Sequence, residues 1–182
     1  ANVHILVFEE PGDVPSEDGA LMAVWTQSAR TASFQGSGAW HNRIMFSRSE
    51  DDGQTWSDPV RLVGPVDDHD PTPMTCWAFP MVSRTGRIYL IWNQNQDVSG
   101  WIKMHTGTMS GIYSDDNGAT WSAPQDVPMP RSSFDDPSGK VPPEWIVWQV
   151  PMRDLRGGYI VGYSHWLNEA SALYKDTEGW TQ

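Results

Sequence analysis

The 182-residue chain reads as an all-β protein assembled from repeated four-stranded antiparallel meanders, each the size of one propeller blade. Three observations predict this. Apolar residues occur in short stretches separated by Gly, Pro, Asp and Ser clusters, and helical periodicity is nearly absent. The pattern S-x-D-x-G-x-T-W is written twice, as SEDDGQTW (Ser49 to Trp56) and SDDNGATW (Ser114 to Trp121), about 65 residues apart. The apolar stretches around the two copies also follow one another in the same order.

The first set of predicted strands opens with the apolar run Ile5–Phe8. Leu21–Thr26, Arg43–Ser47 and the short Val60–Val63 follow, each rich in β-branched or aromatic residues and bounded by turn residues. The second set is Ala78–Ser83, Ile88–Trp92, Gly107–Ser114 and Gln125–Pro128. The third begins with Trp145–Met152, Tyr159–His165 and Ala172–Lys175. Short polar turns join first to second strands: SEDG at 16–19, SRTGR at 83–87 and RDLRGG at 153–158. In the first two sets a long loop joins second to third, and the eight-residue motif joins third to fourth. The third set ends on KDTEGWTQ, a degraded motif with no fourth strand after it. The expected blades are therefore about 1–65, about 76–130 and an incomplete one at about 145–182.

Each motif residue suits a tight hairpin. Asp51 and Asp116 accept hydrogen bonds from nearby backbone N–H groups and close the turn. Gly53 and Gly118 supply a backbone angle that other residues resist. Ser49 and Ser114, with the threonines, pin the flanks. Trp56 and Trp121 fold back into the groove between neighbouring sheets. One carboxylate beside Gly and Trp offers too few ligands for calcium, so the motif is structural.

Composition narrows the function classes. Hydrophobic residues make up 38% and charged residues 19%, a globular balance. The formal charge of −11 leaves no basic face for phosphates, so nucleic acid is excluded as a partner and anionic lipid is repelled. No apolar run reaches membrane-span length, so no membrane partner is expected. Cys76 is the single cysteine and leaves no intrachain disulfide. Eleven tryptophans suit a β-rich core, and also a surface that stacks on sugars. The sequence calls for no cofactor.

S-x-D-x-G-x-T-W resembles the Asp-box, or BNR, repeat of sialidases (neuraminidases) and their relatives. The flanks RIMFSRSEDDGQTWSDP and GIYSDDNGATWSAP fit that style, and FPMVSRTGRIYLIWNQ and PPEWIVWQVPMR are similar to bacterial sialidase-like proteins. The resemblance covers roughly Leu21 to Trp166. It implies a six-bladed β-propeller with the Asp boxes opposite the active site. It also implies an exo-glycosidase acting on a terminal sugar, and an extracellular or periplasmic location. Six blades need roughly 390 residues. The remaining blades are thus expected from a longer chain, of which this is a segment, or from a second copy that completes the ring.

In that arrangement the site is built by the segments opposite the boxes: Ser28–His41, Val66–Thr75, Asn95–His105 and Arg131–Glu144. His41 and His105 occupy like positions near the start of a third strand. They are the first candidates for acid or base, or else hydrogen-bonded structural histidines. Asp68 and Asp70, in DDHD with Asp67 and His69, come third as catalytic groups. The cluster has a metal-like composition, but sequential acids point in alternating directions and no second ligand set matches, so no metal is expected. Arg30, Arg43, Lys103 and Arg131 are candidates for binding substrate. Trp40 and Trp101 either stack on a sugar ring or belong to the core. Asp135, Asp136 and Glu144 supply further acids.

The chain also departs from the sialidase pattern. The resemblance implies three carboxylate-binding arginines, the first near the opening strand, yet HILVFEEPGDVP contains none. It implies an acid/base aspartate in the first long loop, yet SARTASFQGSGAWH contains neither Asp nor Glu, and His41 is the nearest titratable group. Two readings besides hydrolysis therefore stay open: a noncatalytic carbohydrate-binding propeller, and a half-propeller that dimerises without a ligand.

Overall fold

The computed structural model describes residues 5–9, 21–30, 40–67, 69–96, 107–130, 132–133, 135–139, 144–147 and 149–166. Among these there is no helix. The first sheet has the order β1 (Ile5–Glu9), β2 (Leu21–Arg30), β3 (Trp40–Ser49), β4 (Val60–Val63), all antiparallel neighbours. The second repeats this order with β5 (Thr75–Val82), β6 (Ile88–Asn95), β7 (Gly107–Ser114) and β8 (Gln125–Asp126). Equivalent residues share a register: Leu21 lies opposite Ser49, and Ile88 opposite Ser114.

A third antiparallel hairpin is interrupted. β9 (Glu144–Ile146) pairs with β12 (Ser164–Trp166), and β10 (Met152–Arg153) with β11 (Tyr159–Ile160). The sequence predicts two continuous strands here. Pro151 falls in the gap, where it has no N–H to give to the ladder. The predicted strand Ala172–Lys175 lies outside the described residues.

β2 and β3 run longer than predicted. Their ladder continues to the pair Arg30–Trp40, so Ser28 to Arg30, Trp40 and His41 are strand rather than loop. The apolar pattern fades after Thr26, but backbone pairing does not require it.

Two cores hold the three units together. Met22, Val24, Ile44 and Phe46 of the first sheet pack against Ala78, Val82, Ile88, Leu90, Trp92 and Ile112 of the second. On the other face of the second sheet, Phe79 and Met109 pack against Trp145 and Val147. The second sheet is thus packed on both faces: Ile88, Leu90 and Trp92 all face the first core and are wholly inaccessible, whereas Tyr89, on the other face, is 38% exposed. Burying such side chains contributes about 1.5–3 kcal/mol each.

A bulge between Cys76 and Phe79 places Trp77 at φ 55°, a conformation bulky side chains seldom adopt. Its N–H donates to Thr26 Oγ1 at 2.9 Å, a bond from the second sheet to the first. The bulge turns Trp77 toward the second core while Ala78 enters the first.

Candidate functional site

The two eight-residue motifs have the same internal bonding. Ser49 Oγ donates to Asp51 Oδ1 at 2.8 Å and accepts from Gly53 N at 2.8 Å. Thr55 donates its N–H to Asp51 Oδ1 at 2.8 Å and its hydroxyl to Oδ2 at 2.6 Å. Ser114, Asp116, Gly118 and Thr120 make the same four bonds at the same distances. Threonine donation, by hydroxyl and then backbone, holds both carboxyls below the usual aspartate range. Asp52 and Asn117 both sit at φ 55°, each followed by a glycine at φ 82° or 79°.

The tryptophans differ. Trp121 packs against the first core, edge-on to Phe46, with centroids 5.6 Å apart. Trp56 is 40% exposed and donates Nε1–H to Gly53 O at 3.1 Å.

The motif turns and the β5–β6 turn occupy one end of the sheets. The connections between sheets, and those from second to third strands, leave from the other end. Arg30, Trp40 and His41 take their place there on the backbone, as the last ladder positions of β2 and β3. Arg43 lies beside them, half-buried, and its Nη1 donates to Val66 O in the connection to the second sheet. Arg43 is therefore engaged with the protein's own backbone through that nitrogen.

Asp70 closes the same connection. Its Oδ2 accepts from Val66 N at 2.6 Å, and its Oδ1 accepts from Thr72 N at 2.9 Å. Bonding from Thr72, then from Val66, lowers its carboxyl to about 2. A carboxyl this acidic is ionised at neutral pH and holds no proton to donate. Asp67 Oδ1 likewise accepts from His69 N at 2.8 Å. A cleft of about 330 Å³ opens beside this segment, with Arg61, Asp70, Thr72 and Gln94 on its walls. Asp68, Trp101, Lys103, His105 and Arg131 lie outside the described residues.

A cluster of which the sequence named only Asp135 lies at the same end, where the third hairpin meets its connection. Ser132 Oγ is 3.1 Å from Nδ1 of His165. His165 Nε2 is 2.8 Å from Asp135 Oδ1, and Asp135 Oδ2 accepts from Ser132 N at 2.7 Å. The imidazole stacks on Trp145, with centroids 4.0 Å apart and planes at 23°. The His165 and Asp135 side chains are only 11% and 7% exposed. Two signals for the cluster were present: SSFD, a polar turn with Ser and Asp three apart, and a histidine at the end of a strand. No group of three His, Cys, Asp or Glu among the described residues is placed to hold a metal ion.

Duplicated meanders closed by matching Asp-centred turns define a protein of the Asp-box repeat class. The profile of the BNR repeat-like domain family matches residues 19–176, a span that contains both motifs and every described strand except β1, and the chain belongs to that family. No curated protein matches it.

Proposed function

We propose that this chain contributes blades to a six-bladed, sialidase-like β-propeller that acts on carbohydrate, as a glycoside hydrolase removing a terminal sugar. The observation that carries the reading is the pair of identically bonded Asp boxes within a BNR repeat-like chain. It is supported by the backbone positions of Arg30, Trp40, His41 and Arg43, which lie toward the sheet end opposite the boxes. His41 and His105 are the acid/base candidates, with Asp68 as a third. Trp40, Trp101, Arg30, Arg43, Lys103 and Arg131 are the candidates for holding the sugar. The full-length protein, screened with aryl glycosides and uronic-acid oligosaccharides, should release product. The His41→Ala and His105→Ala variants should each lose turnover by about 10²-fold or more. Unchanged turnover in both would remove the two histidines from the mechanism.

The state of Asp70 favours a second reading, a carbohydrate-binding propeller without turnover. Its carboxyl is occupied by backbone N–H groups and is lowered to about 2, which takes one of the candidate acids out of proton donation. Binding on a glycan array with no product release would select this reading.

Trp56 bears on the ring. It holds in the first sheet the position that Trp121 holds in the second, where a neighbouring sheet covers the indole. A further blade, from a longer chain or a second copy, would cover Trp56 in the same way. The glycan-facing location would be extracellular or periplasmic.

A further inference from the structure

We propose that Ser132 is a nucleophile for acyl esters, with His165 as its base and Asp135 as the positioning residue for that base. A serine hydrogen-bonded to an imidazole whose other nitrogen stands against a carboxylate has the arrangement of an activated nucleophile, whatever the order in the chain, and the base–carboxylate bond is often loose before substrate binds. His165 Nε2 lies 2.8 Å from Asp135 Oδ1, close enough for an ion pair although not aligned as a hydrogen bond, and that contact favours the tautomer with its proton on Nε2. The Nδ1 lone pair then faces Ser132 Oγ at 3.1 Å, and the hydroxyl donates to it. Trp145, stacked at 4.0 Å, fixes the ring plane and favours the imidazolium that forms on proton transfer. Ser132 N–H bound to Asp135 Oδ2 keeps nucleophile and carboxylate on one rigid turn.

Ser132 Oγ bonds to the acyl carbonyl carbon while its proton moves to Nδ1, and the carbonyl π pair moves onto oxygen. Collapse of that centre breaks the bond to the alcohol oxygen, which leaves with the Nδ1 proton. Water repeats the sequence on the acyl-serine, releasing a carboxylic acid and restoring the hydroxyl. The cluster sits at the sheet end assigned above to carbohydrate, so the substrate class is an O-acyl ester of a sugar hydroxyl. The identity of the alcohol rests on the glycan reading, whereas the nucleophile does not.

The test uses the full chain, a fluorophosphonate probe and p-nitrophenyl acetate. Mass spectrometry should find the probe on Ser132, and Ser132→Ala should lose labelling and at least about a hundredfold in ester hydrolysis. Asp135→Asn should shift the pH profile of the remaining hydrolysis, a change that a purely structural role would not produce. Hydrolysis unaltered in Ser132→Ala, or a folded chain unlabelled at Ser132, overturns the proposal. Glycan-array binding, measured separately, tests the other reading. Labelling without glycan binding upholds the nucleophile and sinks the sugar substrate, and glycan binding without labelling does the reverse.

Discussion

Thr26 Oγ1 accepts the N–H of Trp77 at 2.9 Å, so a side chain of one sheet satisfies the strained backbone of the next. The same device recurs one unit later, where Asn93 Oδ1 accepts Val147 N at 3.2 Å from the equivalent position of its own sheet. Thr26→Val keeps the shape and deletes the acceptor, leaving a half-buried N–H unsatisfied. It should cost about 1–3 kcal/mol in urea denaturation.

Gly118 and Gly53 occupy matching turns with different surroundings. A Cβ on Gly118 would stand 2.7 Å from Phe46 Cζ, in a packed core, whereas on Gly53 it would meet Leu21 Cδ1 at 3.3 Å. Both substitutions carry the left-handed backbone cost of roughly 1–2 kcal/mol. Gly118→Ala should therefore be the more destabilising of the two, by at least about 1 kcal/mol in parallel denaturation curves.

Asp51, Asp70 and Asp116 all have carboxyls lowered from an ordinary value of 3.8 by hydrogen bonding in the fold. A carboxyl that is more acidic folded than unfolded stabilises the fold above the unfolded value. That contribution is lost as pH falls through the folded value, which for Asp70 is about 2. Wild-type stability should decline as pH drops from about 4 toward 2. The combined Asp→Asn variant should be less stable at pH 7 and show a flatter decline, as followed by thermal melts.

Burial alone pushes the Cys76 thiol up to about 12. The native chain should resist thiol-reactive disulfide reagents at pH 8 and consume one equivalent after denaturation. Rapid reaction of the native chain would show that β5 opens locally.

Trp121→Ala removes an indole packed on Phe46 and the first core, and should cost about 2–4 kcal/mol. Trp56→Ala, at a 40% exposed site, should cost under about 1 kcal/mol in this chain alone. Where a further blade covers Trp56, as proposed above, the two losses should converge.

Much of the fold was legible because its signals are local. Turn chemistry fixes the two hairpins, and apolar runs mark β4 and β7 with their observed limits. The ends of β2 and β3 were not legible, since polar residues there leave no pattern while the backbone continues to pair. The break in the third hairpin was signalled by Pro151 but masked by the apolar residues around it. The cluster of Ser132, Asp135 and His165 spans about 33 residues of sequence and depends on how a connection folds back, which spacing does not encode. The engagement of Asp70 with its own loop was hidden for the opposite reason: an acid that caps a turn and an acid that serves a substrate are the same letter.

The bonds among Ser, Asp, Gly and Thr close within the eight-residue turn, whereas Asp115 of the second copy reaches out to Arg87 of the β5–β6 turn. A gene segment encoding the turn therefore carries its own closing bonds wherever it is inserted, but not the ion pair that ties the second copy to its neighbour. Its apolar seat is not transferable in that way: Phe46 lies three residues before Ser49, while Gly111 lies three before Ser114. Successive copies are therefore free to diverge in what they lean on while inheriting an unaltered clasp.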